Sequence, residues 1–208
     1  MTTRKQQAET QTEKPSSIKR SWILDKAGAL FWQKGYHSTS MRDIAIVCKC
    51  KPANIYNYFE SKEDILYEVI LDITDQTVSS IKHLEDDETT NPVDQLRSLI
   101  KSHFKFLVSK KQSSVLISDT GLKELTAEHR KAVIQLRDKY DTIMRRVIRR
   151  GIDSGDFAVK DDKLVTYFIS SVIMRSSIWF SPKGQLSADE VGDDMFDFVY
   201  RGIKAETN

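Results

Sequence analysis

The stretch 31–62 constrains the fold of this chain more than any other part of its sequence. Ser40 stands three residues before Asp43, which is the spacing of a capping box, where the two residues bond each other's backbone N–H groups at a helix start. Pro52 suits the first position of another helix, because its missing N–H is not needed there. Lys49 falls where the chain must turn between them. The stretch therefore predicts two short helices joined by a tight turn.

Apolar side chains give each of these two helices one buried face. They are Met41, Ile44, Ala45 and Val47 in the first helix, and Ile55, Tyr56, Tyr58 and Phe59 in the second. Two helices of this size across a short turn form a helix-turn-helix, and the second helix, over about 51–58, has the size to enter a DNA major groove. Ser61 is placed to cap a long helix that follows.

Two runs of residues in this stretch match, in register, the DNA-binding signature of a known family. They are Phe31-x-x-x-Gly35-Tyr36-x-x-Thr39-Ser40-Met41-x-Asp43-Ile44-Ala45 and Ile55-Tyr56-x-Tyr58-Phe59-x-Ser61-Lys62-Glu63-x-x-Leu66. Over residues 18–70 the chain resembles the TetR family of bacterial repressors. It departs from the family pattern at the turn, where Cys48-Lys49-Cys50 replaces Ala-Gly-Val, and at Ala53-Asn54, which replaces Gly-Thr. The operator sequence of a relative therefore does not carry over.

The resemblance implies an all-α fold with two parts. The first is an N-terminal three-helix helix-turn-helix domain over 17–62, and the second is a C-terminal helical ligand-binding and dimerisation domain over 63–208. Residues 1–16 are polar and lack hydrophobic periodicity, so we expect a disordered basic arm there.

The resemblance also implies which residues contact DNA. Base-edge contacts fall near Pro52, Ala53, Asn54 and Tyr56, and phosphate contacts fall on Thr39, Asn57, Tyr58 and Lys62. We add Lys51 for its charge and position, and Ser40 as the neighbour of Thr39. An asparagine such as Asn54 can pair bidentately with adenine, or it can hold a phosphate. One of the two tyrosines is expected to be partly a core residue.

The charge distribution agrees with a DNA-binding head. Residues 1–62 hold eleven Lys and Arg against five Asp and Glu, a net charge of +6, whereas the remaining residues carry a net charge of −4. A basic head on a mildly acidic body is the electrostatic pattern expected of a DNA-binding domain joined to a second domain.

Hydrophobic periodicity predicts one helix before the helix-turn-helix and several helices throughout the body. Their expected ranges are 17–34, 62–84, 92–110, 113–120, 127–154, 161–179 and 187–204. The last helix has an unusually wide apolar stripe, made of Val191, Met195, Phe196, Phe198, Val199, Tyr200 and Ile203. Such a stripe is wider than one neighbouring helix needs. We therefore expect a homodimer in which the last two helices of both subunits form a four-helix bundle.

A ligand pocket is implied by the resemblance, and the segment 174–184 indicates its chemistry. That segment is similar to one in family members that sense fatty acyl-CoA or related CoA thioesters. Arg175 could meet the CoA phosphates while Trp179 helps to wall an acyl channel, with Phe104, Tyr140 and Phe168 as further lining residues. The alternative is that these aromatic residues are plain core or dimer contacts and that Arg175 pairs with an acid.

These patterns predict a repressor that releases a palindromic operator when a small molecule binds the body. A fatty acyl-CoA or related thioester is the first choice of effector. A drug or other lipophile, with efflux genes as targets, is the alternative, and a pocket without basic residues near Arg175 would favour it.

Signals for catalysis, metals or membranes are weak in this sequence. The triplet Asp119-Thr120-Gly121 imitates an aspartic-protease motif but is flanked by predicted helices, and the four histidines are scattered. Cys48 and Cys50 have no further ligands with zinc-site spacing. They are read as small apolar residues, with redox sensing as the alternative because the flanking lysines would lower a thiol pKa. We expect no enzyme activity, cofactor, metal or membrane contact, and a cytoplasmic location.

Overall fold

The computed structural model of the chain describes residues 15–110 and 119–206. Across these two ranges the secondary structure is helical, with one isolated antiparallel bridge between Phe157 and Lys204 and no β-strand, so the predicted all-α fold is confirmed. The helices are α1 (Pro15–Lys34), α2 (Met41–Val47), α3 (Pro52–Tyr56), α4 (Lys62–Ile81), α5 (Pro92–Ser109), α6 (Asp119–Lys123), α7 (Ala127–Asp153), α8 (Asp162–Trp179) and α9 (Ala188–Ile203), with a short 3-10 helix (Lys82–Leu84) after α4.

Two sequence predictions fall partly outside these ranges. The predicted basic arm over 1–16 lies outside the described residues except for its end. The predicted short helix over 113–120 also lies largely outside them, and the described chain resumes in α6.

Local capping signals set the helix boundaries of the N-terminal part. The Ser40 side chain accepts from the Asp43 backbone N–H at 3.1 Å, and Asp43 accepts from the Ser40 backbone N–H at 2.8 Å. Ser61 and Asp64 form the same reciprocal pair at the start of α4. Gly35 ends α1 with a φ of 82°, a conformation open to glycine at little cost. The predicted capping box at Ser40 and the predicted cap at Ser61 are thus both present, and the structure adds Asp64 as the partner of Ser61.

The molecule has two apolar cores, and α4 contributes to both. The first core joins α1, α2, α3 and the start of α4 through buried residues such as Phe31, Ile44 and Ile55. The second joins the end of α4 to α5, α7, α8 and α9, where α5 packs against α9 and α4 packs against α7. One continuous helix therefore belongs to both the first core and the second core.

No helix in the described ranges is both long enough and apolar enough to cross a membrane.

The turn between α2 and α3 contains a strained residue. Lys49 has a φ of 54°, in the left-handed region, and its side chain is exposed. The Cβ of a non-glycine residue costs about 1 kcal/mol in this conformation. We therefore expect Lys49→Gly to be more stable than Lys49→Ala by about 1 kcal/mol, because only glycine relieves the strain. Urea unfolding followed by helical circular dichroism measures the difference. Equal stability of the two variants would contradict this account.

Candidate nucleic-acid interface and effector cavity

The short helix α3 is held by one buried side chain and presents the others to solvent. Ile55 is fully buried against the head core, and Phe59 is buried just beyond the helix. The predicted base-contacting residues Pro52, Ala53 and Asn54 are exposed, together with Lys51, Tyr56 and Asn57. Tyr56 is 53% exposed, whereas Tyr58 is half-buried and packs on the head core. Of the two tyrosines, Tyr58 is therefore the partly core residue.

The predicted phosphate-contacting residues Thr39 and Lys62 also have structural partners. Thr39 is buried, and its hydroxyl donates to the Gly35 carbonyl at 2.8 Å. The Lys62 ammonium donates to the carbonyls of Tyr36 and Thr39 at 2.8 and 2.7 Å, and it lies 4.2 Å from the centre of the Tyr36 ring. Lys62 thus ties the start of α4 to the loop before α2. An ammonium has three donors, so one remains for a phosphate.

Replacing Lys62 separates its structural role from its predicted role at DNA. We expect Lys62→Met to lower the free energy of unfolding by about 1.5–3 kcal/mol, because two carbonyls lose a charged donor. The exposed Lys51 serves as the matched control, and Lys51→Met should leave stability unchanged while it weakens DNA binding. Chemical unfolding and a DNA-binding titration of both variants measure these effects. Full stability of Lys62→Met with weakened DNA binding would assign Lys62 to DNA alone.

Cys48 does not have the lowered thiol pKa expected of a redox sensor. Both are free and half-buried, and burial is the main cause that raises the pKa of Cys48 to about 11. The expectation that nearby lysines lower the thiol pKa is wrong for Cys48. The lowering effect of Lys26 is smaller than that of burial and of the neighbouring Cys50. The apolar interpretation of Cys48 is the one the structure favours.

A cavity of about 200 Å³ lies in the body between α4, α5, α7 and α8. Its walls are Thr74, Thr77 and Val78 from α4, His103 and Leu107 from α5, Arg137, Tyr140 and Asp141 from α7, and Tyr167, Ser170 and Met174 from α8. The end of α4 thus forms one wall of the cavity, and the start of the same helix packs in the head.

Of the five residues predicted to line a ligand site, Tyr140 alone lines this cavity. Phe104 is fully buried behind it, with its ring edge against Phe180 at 5.3 Å between ring centres. Phe168, Arg175 and Trp179 are exposed on α8 and lie outside the cavity walls.

The placement of α8 explains this difference. The face of α8 toward the cavity is the row Tyr167, Ser170 and Met174, whose members are three and four residues apart. Phe168 and Arg175 each follow a member of that row, and one residue turns the side chain by about 100° around a helix with 3.6 residues per turn. A role for Phe168, Arg175 or Trp179 at an effector stays a prediction that this cavity does not support.

A buried histidine and tyrosine form a hydrogen-bonded pair in the cavity wall. The Tyr140 hydroxyl lies 2.6 Å from Nδ1 of His103. Burial lowers the pKa of His103 to about 3, so the imidazole is neutral near pH 7. Burial, and secondly the charge of Asp141, raise the pKa of Tyr140. Nε2 of His103 has no hydrogen-bond partner among the described residues.

The body also contacts the head through a cluster that the sequence did not reveal. Glu63, at the start of α4, accepts from the Thr126 backbone N–H at 2.9 Å and lies 2.9 Å from Nδ1 of His129. The His129 ring stacks on Tyr67 at 3.8 Å between ring centres. Leu122, Leu125 and Val133 complete the head core from the body side. These contacts join residues that are distant in the sequence, so no local sequence pattern predicts them.

Three possible metal ligands meet at this junction but are already engaged. Ligand atoms of Glu63, Asp64 and His129 lie within 4.8 Å of one another. Glu63 is bound by His129 and Thr126, and Asp64 is bound in the capping box of α4. These hydrogen bonds account for the proximity of the three side chains.

Large apolar side chains are exposed along α8 and α9. Phe198 is 71% exposed and Phe168 is 61% exposed, and both line a surface groove between these two helices together with Val172. Five of the seven residues of the predicted wide stripe are buried within the subunit, namely Val191, Met195, Phe196, Val199 and Ile203. The stripe of α9 is therefore divided between the subunit core and the surface.

Comparisons with known proteins agree with this architecture. Residues 89–203 match a family described as "Tetracyclin repressor-like, C-terminal domain", and residues 23–69 match "Bacterial regulatory proteins, tetR family". The HTH-type transcriptional repressor KstR2 of Mycobacterium tuberculosis is 29% identical over 190 residues, which cover 90% of this chain and 94% of KstR2.

Two solved structures share the fold over most of the chain. PfmR, a TetR family transcriptional regulator from Thermus thermophilus, is 31% identical with a TM-score of 0.79, over 86% of this chain and 97% of PfmR. AibR in complex with isovaleryl coenzyme A and operator DNA is 23% identical with a TM-score of 0.78, over 88% of this chain and 98% of AibR.

Proposed function

Because this chain belongs to the TetR family of bacterial regulatory proteins, we propose that it is a repressor of transcription that binds double-stranded DNA through α3. The observation that carries this proposal is the exposed first turn of α3. Lys51, Pro52, Ala53 and Asn54 face solvent there, while Ile55 anchors the helix in the head core. A rigid frame that presents short polar and apolar side chains suits base-edge contacts in a major groove.

The repressor acts as a homodimer through α8 and α9. The exposed Phe168 and Phe198 support this arrangement, since monomeric proteins rarely leave a contiguous apolar patch of this kind uncovered. Two-fold symmetry then requires a near-palindromic operator, with half-sites about one helical turn, or 34–36 Å, apart.

A small-molecule effector controls DNA binding from the cavity in the body. Thr74, Thr77 and Val78 line the cavity and belong to the same helix as Lys62, which contacts the head. An effector that favours a body conformation with wrongly spaced heads lowers DNA affinity by the coupling free energy, typically ~1–3 kcal/mol. The Glu63–His129 contact provides a second connection between the cavity and the start of α4, because α7 runs from this contact to Tyr140 in the cavity wall.

The effector is a CoA thioester. The AibR complex contains isovaleryl coenzyme A in a protein of the same fold, and the segment 174–184 of this chain is similar to that of acyl-CoA-sensing members.

A lipophilic drug is the second candidate effector. Arg175 lies outside the cavity, and Val78, Leu107 and Met174 give the walls apolar character. A thermal-shift screen with CoA thioesters and lipophilic drugs separates the two, because a ligand that binds the native state alone raises the melting temperature. Shifts with drugs alone would favour the efflux-type regulator.

DNA binding is tested by selection from a randomised duplex library, followed by a salt titration of the selected sequence. Each phosphate contact contributes about −0.9 to the slope of log K against log salt concentration, so binding should weaken steeply. A palindromic consensus with a steep slope would support the proposal. Failure to select any duplex, or affinity independent of salt, would end the repressor proposal.

A further inference from the structure

The hydrogen bond between Tyr140 and His103 fixes the proton on the other imidazole nitrogen. Tyr140 is buried, and its hydroxyl contacts Nδ1 of His103 at 2.6 Å. If Nδ1 carried the proton, the hydroxyl hydrogen of Tyr140 would need a second acceptor. A hydroxyl that donates to Nδ1 satisfies both groups, and a neutral imidazole then carries its hydrogen on Nε2. Nε2–H is therefore a buried donor without a partner among the described residues.

Three other hydroxyl groups of the cavity wall, those of Thr74, Thr77 and Ser170, already donate to backbone carbonyls. Thr74 donates to the Ile70 carbonyl and Thr77 donates to the Ile73 carbonyl, each at 2.7 Å. Ser170 donates to the carbonyl of Tyr167 at 3.2 Å. Each of these bonds lies within the helix of its own residue. His103 also lines the cavity, and its Nε2–H is a buried donor without a partner among the described residues, which is unfavourable until an acceptor reaches it.

The size of the cavity limits what can enter it. Its volume is about 200 Å³, and an apolar cavity of ~150 Å³ holds one benzene molecule. In proportion, this cavity holds roughly eight non-hydrogen atoms. Val78, Leu107 and Met174 provide the apolar part of its wall.

We infer that the effector inserts a short, uncharged portion of roughly eight non-hydrogen atoms into this cavity, where its hydrogen-bond acceptor meets Nε2–H of His103. A thioester carbonyl oxygen at the end of a short acyl chain has this chemistry. An effector carboxylate at this position would bring a charge beside a neutral, buried imidazole at a large desolvation cost. The inference rests on the proposed effector role of the cavity and adds the length and polarity of its ligand.

The test compares two ligands that differ in the carbonyl group alone. Hexanoyl-CoA has the thioester carbonyl, and hexyl-CoA, its thioether analogue, lacks it. By titration calorimetry we expect the wild-type protein to bind hexanoyl-CoA roughly tenfold more tightly, the effect of one buried hydrogen bond. Palmitoyl-CoA should bind more weakly than hexanoyl-CoA because its chain exceeds the cavity.

Two variants assign the difference to His103. His103→Phe keeps a ring in the wall and removes Nε2–H, so hexanoyl-CoA and hexyl-CoA should bind this variant with equal affinity. This variant leaves the Tyr140 hydroxyl unpaired, and the double variant His103→Phe/Tyr140→Phe removes that hydroxyl as well. Equal affinity of hexanoyl-CoA and hexyl-CoA for the wild-type protein would overturn the role of His103 whether or not the variants fold. Tighter binding of palmitoyl-CoA would overturn the predicted length.

A ligand without CoA separates this inference from the proposed function. 3-Heptanone has the predicted size and one carbonyl, and its binding should shift the Nε2–H signal of His103 in a spectrum of protein with ¹⁵N-labelled histidine. If 3-heptanone shifts this signal while no CoA thioester binds, the inference holds and the proposed CoA effector is wrong. If neither ligand affects the signal, the inference is wrong, even where the protein binds its operator.

Discussion

Phe198→Asp should convert the protein from a dimer into a monomer and weaken operator binding at least a hundredfold. Phe198 is 71% exposed on α9 and lies beside Phe168 of α8 in one groove. In the proposed dimer this face is covered by its copy, and a carboxylate buried there without a partner carries a large desolvation cost. Loss of the dimer removes the second half-site contact, and linking two binding units contributes about 10²–10⁴ in affinity.

Sedimentation velocity measures the mass of the variant, and fluorescence anisotropy with the selected operator measures its affinity. Ile134→Asp is the matched control, because Ile134 is 44% exposed on α7 and does not line the α8–α9 groove. The control should remain a dimer with full affinity. A dimeric Phe198→Asp, or a monomeric Ile134→Asp, would place the subunit interface elsewhere.

Asn54→Ala should cost about 2–6 kcal/mol of operator binding, because a bidentate contact to a base is worth about 1–3 kcal/mol and a symmetric dimer makes it twice. Asn54 is exposed in the first turn of α3, beside Lys51 and Pro52. The loss should be confined to operators with the preferred base at one position in each half-site. At that position the variant should bind all four bases with similar affinity.

Lys51→Ala is the control for Asn54→Ala, since a phosphate contact holds the protein on DNA without reading its sequence. It should weaken binding to all duplexes alike and reduce the salt slope by about one unit for each subunit. Affinity titrations against operators changed at single positions distinguish the two variants. If Asn54→Ala behaves as Lys51→Ala does, Asn54 holds a phosphate.

Most of the head could be predicted from the sequence, because its signals are local. Three signals act on residues only a few positions away in the sequence. They are the Ser40–Asp43 capping box, the proline at the first position of α3 and the glycine after α1. The turn at Lys49 was likewise predicted from its position between two helices, and the structure adds its left-handed conformation.

The helices of the body were predicted to within a few residues for the same reason. The ranges 127–154, 161–179 and 187–204 compare with Ala127–Asp153, Asp162–Trp179 and Ala188–Ile203. The largest shift is at the end of α4, where the predicted helix over 62–84 ends at Ile81 and continues as a 3-10 turn.

The walls of the cavity were decided by tertiary packing. Apolar residues occur all around α8, so its sequence does not define which face meets α5 and α7. Packing buries Ile169 and Ile173 and turns Tyr167, Ser170 and Met174 toward the cavity. Phe168, Arg175 and Trp179, which were predicted to line the ligand site, lie outside the cavity walls as a result.

Side-chain partners distant in the sequence were decided in the same way. Lys62 was predicted at DNA, yet two of its donors hold carbonyls 26 and 23 residues away. His129 meets Glu63 across 66 residues, and His103 meets Tyr140 across 37. The sequence by itself determined where helices begin, where they end and which part of the chain carries the DNA-binding head, because capping and periodicity are short-range. Only the tertiary structure decided which polar groups pair and which donor stays unpaired, because those outcomes depend on how the helices are rotated against one another.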